Sequence, residues 1–271
     1  MKIITLVENT AIDKSLKPKH GLSIYIETPK HKVLFDLGPK DAFIHNAQKL
    51  GIDLAEIDTV VISHGHYDHG GALTNFLKVN HKAKIYIHRL AFESHYIKVL
   101  IAKIYIGLNK KLAGNSRFIL TDDSIRIDDE LFIFSDVDGH FDSNSTILLK
   151  KTTDGYIRDD FAHEQNLIVT SEDKTVLFSG CSHRGIANIL RTAQKHQPTI
   201  QAVFGGFHLC NPVTKSTEPQ EVLQQLATKL SAHGDVVFYT GHCTGSNAFE
   251  SMRNSMGEKL QHLSTGAMVE I

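Results

Sequence analysis

The chain has 271 residues, of which 41% are hydrophobic and 22% are charged, and its formal net charge is −1. A near-neutral chain carries no basic field to attract nucleic acid or anionic lipid, and no apolar run is long enough for a transmembrane helix. Three cysteines without framework spacing, and an opening apolar run too short for a signal peptide, favour a reducing cytoplasm. Histidine stands out, with 17 copies against 14 Phe, 7 Tyr and no Trp.

The chain alternates short strands and helices. The runs typical of strands are 2–7, 22–28, 32–36, 59–63, 84–88, 131–135, 166–170, 175–179, 202–206 and 236–240. Helical patterns cover 41–50, 72–79, 186–196 and 221–232, the last preceded by a capping-box pattern at Thr217 and Gln220. Strand clusters in both halves predict an α/β fold (α+β by some schemes) in which two packed sheets are covered by helices. We expect one domain over 1–271, with the irregular segment 91–125 as a flap or an insertion over a site.

The stretch SHGHYDHGG, residues 63–71, packs three histidines and one aspartate into nine positions. His64, His66, Asp68 and His69 follow a predicted strand and precede a predicted helix, so they lie on a turn where side chains can converge. Histidines two residues apart in an extended stretch can point the same way. Zinc and similar ions bind imidazole and carboxylate together. The stretch therefore predicts half of a metal site, whose other ligands come from the ends of other strands.

Three further candidate ligands lie at such strand ends. His163 precedes the run 166–170, Cys181 follows 175–179, and His242 follows 236–240. One histidine at a strand end is usually a surface or supporting residue, but this ordered set after an HxHxDH pattern indicates a metal centre. His140 is the alternative to His163, and Cys243 is the alternative thiol to Cys181.

These motifs resemble the signature of the metallo-β-lactamase fold superfamily. HGHYDHGG, FDLG (35–38) and GHCTG (241–245) are similar to its metal-binding and early-strand motifs. A narrower resemblance, to the group of dihydropterin–ribofuranosylaminobenzene-phosphate synthases and metal-dependent hydrolases, is carried by HGLSIYIE (20–27), FAHEQNLIV (161–169), SGCSHRGIANIL (179–190) and GGFHL (205–209).

The resemblance implies an αββα sandwich of two mixed sheets with two divalent metal ions at one edge. Zinc is the first expectation, with manganese, iron or nickel as alternatives. One ion is then held by His64, His66 and His163. The second is held by Asp68, His69, His242 and Cys181. The resemblance also places the loop of His20 near the ions, as a substrate-binding residue.

The implied chemistry is attack by metal-activated water on an ester, phosphoester or related bond of a small substrate. His64, His66 and Asp68 form the catalytic set, with Asp68 orienting the water. Phosphorylated and pterin-like molecules are the candidate substrates. The sequence SHRG opens a helix, so Ser182, His183 and Arg184 are expected to receive an anion there. His208 follows a strand and is expected to line the pocket or to replace a ligand, and Phe92, Tyr96 and Tyr105 to form an apolar wall.

Other classes of function remain open on the same residues. A synthase would use the same ions to activate a phosphate or pyrophosphate leaving group, in a condensation of a pterin with ribofuranosylaminobenzene phosphate. An iron-dependent oxidoreductase is the second alternative, since the superfamily fold also hosts iron enzymes. A metal-binding protein without catalysis is disfavoured because an incomplete ligand sphere leaves positions open to water. Nucleic-acid processing is disfavoured because the chain has no excess positive charge.

Overall fold

The fold was described from a computed structural model, which covers residues 1–139 and 147–271; His140 lies outside these residues. The strands up to residue 126 are β1 (Lys2–Val7), β2 (Ser23–Glu27), β3 (Lys32–Phe35), β4 (Thr59–Ile62), β5 (Lys84–His88), β6 (His95–Val99), β7 (Ala102–Tyr105), β8 (Phe118–Thr121) and β9 (Ser124–Arg126). The later strands are β10 (Leu131–Phe134), β11 (Leu148–Thr152), β12 (Gly155–Arg158), β13 (Asn166–Ser171), β14 (Lys174–Phe178), β15 (Ala202–Phe204), β16 (Val237–Thr240), β17 (Leu260–His262) and β18 (Met268–Glu270). The helices are α1 (Ala42–Lys49), α2 (Tyr67–Gly70), α3 (Leu73–Val79), α4 (Ile186–His196), α5 (Gln220–Ser231) and α6 (Ser246–Met256).

Two seven-stranded sheets form the centre of the fold. Their strand orders are β18-β1-β2-β3-β4-β5-β8 and β17-β16-β15-β14-β13-β10-β9. Each is mixed: β3, β4, β5 and β8 run parallel, as do β14, β15, β16 and β17, while the remaining neighbours are antiparallel. The predicted pair of mixed sheets is confirmed.

Three apolar clusters hold the layers together. The cluster between the sheets includes Phe35, Phe178 and Phe204, all fully buried. A second cluster packs α1 and α3 on the outer face of the first sheet, around Phe43 and Phe76. A third packs α4, α5 and α6 on the outer face of the second sheet. Burying a large apolar side chain contributes about 1.5–3 kcal/mol, so the predicted αββα sandwich rests mainly on these three layers.

The segment 91–125 is divided between three sheets. Its end supplies the edge strand β8 to the first sheet and the start of the edge strand β9 to the second. Between them, β6 and β7 join β11 and β12 in a separate four-stranded antiparallel sheet, ordered β12-β11-β6-β7. Its strands are mostly half-buried or exposed, which is why their apolar pattern is weak in the sequence.

Two local expectations differ from the structure. The capping box at Thr217 is wrong: α5 begins at Gln220 after Pro219, without a side-chain cap, and Thr217 pairs as an isolated bridge with Cys210. The helix α6 was not predicted, because its eleven residues are largely polar and bury only three side chains. No helix among the described residues has the length and apolar character that crossing a membrane requires.

The topology collects chemically active residues at one edge of the sandwich, here called the site edge. The parallel strands β4, β14, β15 and β16 all end there. The antiparallel β13 begins there, so the residue before it lies at the same edge. The amino ends of β3 and β4 lie at the opposite edge.

Candidate metal centre

The turn after β4 is held by an aspartate from a neighbouring strand end. Asp36 follows β3, and its carboxylate accepts hydrogen bonds from the Ser63 backbone N–H and hydroxyl, both at 2.7 Å. Two glycines of the motif are required by close approach: a Cβ at Gly65 would lie 2.4 Å from the Ala91 carbonyl oxygen, and one at Gly71 would lie 2.3 Å from that of Tyr67. The turn therefore has a fixed backbone on which the motif's histidines converge.

Four of the predicted ligands form one tight cluster. His69 Nε2 lies 3.2 Å from Cys181 Sγ and 3.2 Å from His242 Nε2. Asp68 Oδ2 lies 3.3 Å from His242 Nε2 and 3.8 Å from His69 Nε2. Ligands that sit about 2.0–2.3 Å from a tetrahedral zinc ion are separated by about 3.3–3.7 Å. His69 is thus close enough to Cys181, His242 and Asp68 to share a metal ion with them, and the donor atoms of His64, His69 and Cys181 also lie within 4.8 Å of one another.

The supporting residues fix which nitrogen of each histidine enters this cluster. His69 Nδ1 is 2.6 Å from Asp36 Oδ2, so Nε2 faces the cluster. His242 Nδ1 is 3.2 Å from Asn9 Oδ1, and the His242 backbone N–H donates to Glu8 at 2.6 Å. Burial lowers the pKa of His69, but Asp36 and Asp68 outweigh it and raise this pKa to about 9. An imidazole held by a carboxylate in this way is typical of metal ligands.

A second cluster contains three imidazoles. Ligand nitrogens of His64, His66 and His183 lie within 4.8 Å of one another. His64 Nε2, His66 Nε2 and both ring nitrogens of His183 are buried and have no hydrogen-bond partner within residues 1–139 and 147–271. Burial holds the pKa of each histidine well below its usual range, so the rings are neutral and present lone pairs. Unpartnered buried nitrogens are costly, and a metal ion is the ligand that three such groups fit.

The structure places His183 in a donor group with His64 and His66, and it places the predicted ligand His163 in another donor group with His66, His95 and Asp159. The Gly65 backbone N–H donates to His163 Nδ1 at 2.9 Å, which leaves Nε2 as the protonated nitrogen, 3.4 Å from Asp159. Asp159 also accepts from His95 Nδ1 at 2.8 Å, while the buried His95 Nε2 has no hydrogen-bond partner among the described residues. Two histidines, His163 and His183, are therefore candidates for the third imidazole beside His64 and His66.

The backbone before α4, which was predicted to receive a substrate anion, is already occupied by the carboxyl group of Glu164. The Glu164 carboxylate accepts the backbone N–H groups of His183 and Arg184, at 2.7 and 2.9 Å. Arg184 donates its guanidinium to the carbonyl oxygens of Val137 and other loop residues, and the Ser182 hydroxyl lies 2.9 Å from that of Ser179. Burial raises the pKa of Glu164 to about 7 against these two backbone bonds. Glu164 occupies the place in which we expected a substrate anion.

A cavity of about 460 Å³ opens over both clusters. His208 lines it, with its ring 4.3 Å from that of His183, and its backbone N–H donates to Cys243 Sγ at 3.3 Å. Donor atoms of His208, Cys243 and Cys181 lie within 4.8 Å of one another, so His208 and Cys243 can reach a metal. His20 lies half-exposed at the cavity, with Nε2 3.5 Å from Asp68 Oδ2.

The apolar wall of the cavity is not the predicted one. Its apolar residues include Ile97, Ile106 and Leu148, from the four-stranded sheet and its flanks. Phe92 instead stacks on Phe118 in the core of the first sheet, while Tyr96 packs edge-on against Tyr105 and Tyr156. The expectation for these aromatic rings is wrong because the rings pack against one another and against Phe118 instead of lining the cavity.

The strained backbone of the chain also concentrates here. Asp36, Ser182, His208 and His242 have φ values of 59°, 55°, 51° and 52°, in the left-handed region that non-glycine residues rarely adopt. Such conformations cost about 1–3 kcal/mol each and recur at functional sites.

The chain belongs to the metallo-β-lactamase superfamily: the family's sequence profile matches residues 16–203. Over its whole length the chain is 28% identical to 7,8-dihydropterin-6-methyl-4-(β-D-ribofuranosyl)-aminobenzene-5′-phosphate synthase of Methanocaldococcus jannaschii, of which it covers 96%. It is also similar to the crystal structure of Tm1679, described as a metal-dependent hydrolase of the β-lactamase superfamily, with a TM-score of 0.83, 27% identity and coverage of 100% of this chain and 99% of that one. Zn²⁺-bound PqqB from Methylobacterium extorquens, at 12% identity, a TM-score of 0.57 and full coverage of both chains, shares the fold.

Proposed function

We propose that the protein is a metal-dependent hydrolase that cleaves an ester, phosphoester or related bond of a small substrate, with two divalent ions, zinc first among them. The observation that carries the proposal is the spacing of Asp68, His69, Cys181 and His242 beside the unpartnered nitrogens of His64, His66 and His183. Ions held there would supply Lewis-acid polarisation and activate water as the nucleophile. The thiol of Cys181 favours zinc over harder ions.

The chain's own residues prepare the reacting site in two ways. Asp68 is ionised, because the neighbouring histidines, against the effect of burial, hold its pKa well below the usual range. Its carboxylate lines the cavity and can orient a nucleophile placed over the clusters by accepting its hydrogen bond. The apolar wall of Ile97, Ile106 and Leu148 excludes water from the other side, which strengthens electrostatic interactions inside. We retain the expectation of a cytoplasmic enzyme with a small-molecule substrate rather than nucleic acid or a membrane surface.

A transferase is the second candidate, favoured by the full-length similarity to an archaeal synthase. The same cavity would then hold a pterin and a ribofuranosylaminobenzene phosphate, and the ions would activate a phosphate or pyrophosphate leaving group. The iron-dependent oxidoreductase remains the alternative that metal analysis decides.

The test is metal content by mass spectrometry, together with turnover of a panel of esters, lactones and phosphoesters. We expect about two zinc ions per chain in the wild type, falling toward one in Cys181→Ala and in His183→Ala. His81→Ala is the matched control, because His81 is exposed and does not line the cavity. Metal-replete protein that turns over no member of the panel would overturn the hydrolase. Iron as the main metal, with oxygen consumption, would favour the oxidoreductase.

A further inference from the structure

His183 differs from other candidate ligands in what holds its ring. His69 and His242 each have a ring nitrogen within hydrogen-bond distance of an acceptor, on Asp36 and Asn9 respectively. Neither ring nitrogen of the buried His183 has such a partner within residues 1–139 and 147–271. A ligand whose ring is free to turn loses entropy when it binds an ion, and a supporting contact reduces that loss. Support for His183 therefore has to come from its backbone or from packing.

The backbone of the loop that carries His183 is held from outside the loop. Between β14 and α4, Ser182 has a φ of 55° and Gly185 has a φ of 87°, so the chain follows neither a helix nor a strand. Buried N–H groups in such a loop need acceptors from elsewhere in the fold. The N–H groups of His183 and Arg184 donate to the two carboxylate oxygens of Glu164, at 2.7 and 2.9 Å. Both oxygens of this buried side chain are thus committed to the loop.

The ring of His183 packs on a second residue of the segment 161–164. The Phe161 ring stacks on it, with the ring centroids 4.2 Å apart and an angle of 2° between the planes. Phe161 lies farther from the rings of His66 and His163, at 6.4 and 6.1 Å, and is parallel to neither. Its own backbone N–H donates to Asp159 at 2.9 Å. Stacking on an aromatic face restricts the orientation of the imidazole and stabilises the positive charge that the ring gains when it binds a cation.

We propose that Phe161 and Glu164 are positioning residues for His183, which hold its ring beside the donor nitrogens of His64 and His66. The proposal rests on the proposed function, in that His183 is then the third imidazole ligand of one ion. Glu164 fixes the backbone of the loop and Phe161 fixes the plane of the ring. Neither residue supplies a ligand atom, so their effect on metal affinity passes through His183.

A double-mutant cycle on metal affinity tests the proposal. Glu164→Gln and Phe161→Leu are made in the wild type and in His183→Ala, and the Kd for Co²⁺ is measured by titration. In the wild type we expect Glu164→Gln to raise Kd about 10- to 100-fold, the scale of a contact behind a metal ligand. Phe161→Leu should raise it about 2- to 10-fold, the scale of one aromatic pair. In His183→Ala either change should alter Kd by less than about twofold, because the residue that it supports is gone.

Two controls and a second readout separate positioning from a loss of stability. Glu130→Gln changes a buried glutamate at the opposite edge, where it bonds Thr28, and Phe92→Leu changes a ring that stacks on Phe118 outside the cavity. Both controls should leave the Kd for Co²⁺ within about twofold of the wild type. The visible absorption of the Co²⁺-loaded protein should change in Glu164→Gln and Phe161→Leu only, because it responds to the geometry around the ion.

Three results would overturn the proposal. The first is an equal rise in Kd with and without His183, which would show that the two residues do not act through it. The second is a Kd and an absorption spectrum that neither variant changes. The third is a cycle that couples to His163→Ala instead, which would assign the support to that ring. A coupled cycle in a protein that hydrolyses nothing would leave the positioning role standing and reject only the proposed hydrolase.

Discussion

The two edges of the sandwich use histidine in opposite ways. At the edge away from the cavity, His31 precedes β3 and has both nitrogens satisfied: Nδ1 lies 3.0 Å from Asp58 and Nε2 lies 2.6 Å from Asp128. These bonds join the first sheet to the turn before β10 in the second. At the site edge, His64, His66 and His183 leave buried nitrogens without partners.

Histidines whose nitrogens are hydrogen-bonded stabilise the fold, whereas histidines with unpartnered buried nitrogens lower its stability until a ligand binds. The opposite edge also contains the hydrogen-bonded pairs Thr28–Glu130 and Lys30–Asp129. Hydrogen bonds of this kind offset the conformational entropy that is lost when the side chains are ordered. The site edge carries left-handed residues and orphaned imidazoles, both of which lower stability in the absence of a ligand. A histidine in this chain is therefore interpreted by its partners: His31 is half-buried and has both ring nitrogens bonded, whereas the site histidines are buried and have unpartnered ring nitrogens among the described residues.

The largest expected effect comes from replacing, one at a time, the two histidines that are candidates for the third imidazole ligand. His183→Ala should reduce kcat/KM by about 10³-fold, because it removes one of three neutral nitrogens that converge over the cavity. His163→Ala should act mainly on stability, costing about 1–3 kcal/mol, because it leaves the Gly65 N–H without its acceptor. Turnover and urea unfolding of both variants separate the two effects. Greater metal loss in His163→Ala than in His183→Ala would restore the ligand set implied by the sequence.

Removing the metal should leave the imidazoles of the site edge without their ligand, while the hydrogen bonds at the opposite edge stay intact. If free metal exceeds its Kd by about 1,000-fold, chelation should lower the free energy of unfolding by about 4 kcal/mol. The double variant His183→Ala, Asp68→Ala should unfold at the same temperature with and without chelator. A wild-type melting temperature that chelation leaves unchanged would show that the orphaned imidazoles are tolerated without an ion.

Much of the fold was accessible from the sequence, because its central strands are short apolar runs bounded by polar residues. The strands β1 and β5 and the helix α4 were predicted with their observed bounds. The strands β7 and β12 were missed because they lie half-exposed in the four-stranded sheet, where neither face is fully buried.

The candidate site was accessible only where its residues are adjacent in sequence. The spacing of residues 64–69 is enough to predict a metal site. Which histidine completes that site depends on proximity in space, which the sequence does not show. His183 lies two residues beyond Cys181, and this adjacency was the available signal for it. The contact of Glu164 with the backbone before α4 joins residues about twenty apart, and the contact of Asp36 with His69 joins residues from two different strand ends. Such pairings follow from the packing of elements and leave no periodic pattern in the chain.

A smaller effect should follow from changing the carboxylate behind His69. In Asp36→Asn the side chain can still accept from Ser63, and asparagine tolerates the left-handed φ of this position. The neutral amide then accepts the hydrogen bond of His69 Nδ1–H without the full negative charge of the carboxylate. We expect metal affinity at this cluster to fall about 10- to 100-fold, measured by competition with a chromogenic chelator. Asp58→Asn, at the opposite edge, is the matched control, and an equal loss there would remove the distinction between the edges.

The smallest effect concerns the charge of His31 and tests the opposite edge alone. Burial lowers the pKa of His31, but hydrogen bonds to Asp58 and Asp128 outweigh it and raise the pKa above its ordinary value. Because the folded state holds the proton more tightly, this stabilisation is fully present below the unfolded pKa of about 6.5 and is lost as pH rises through the folded value. His31→Gln should therefore lower the free energy of unfolding by at most about 1 kcal/mol at pH 6 and by less at pH 9. Urea unfolding of chelated protein at both pH values isolates this term from the metal clusters. A larger cost at pH 9 than at pH 6 would mean that the neutral ring, and not the ion pair, holds the two sheets together at this edge.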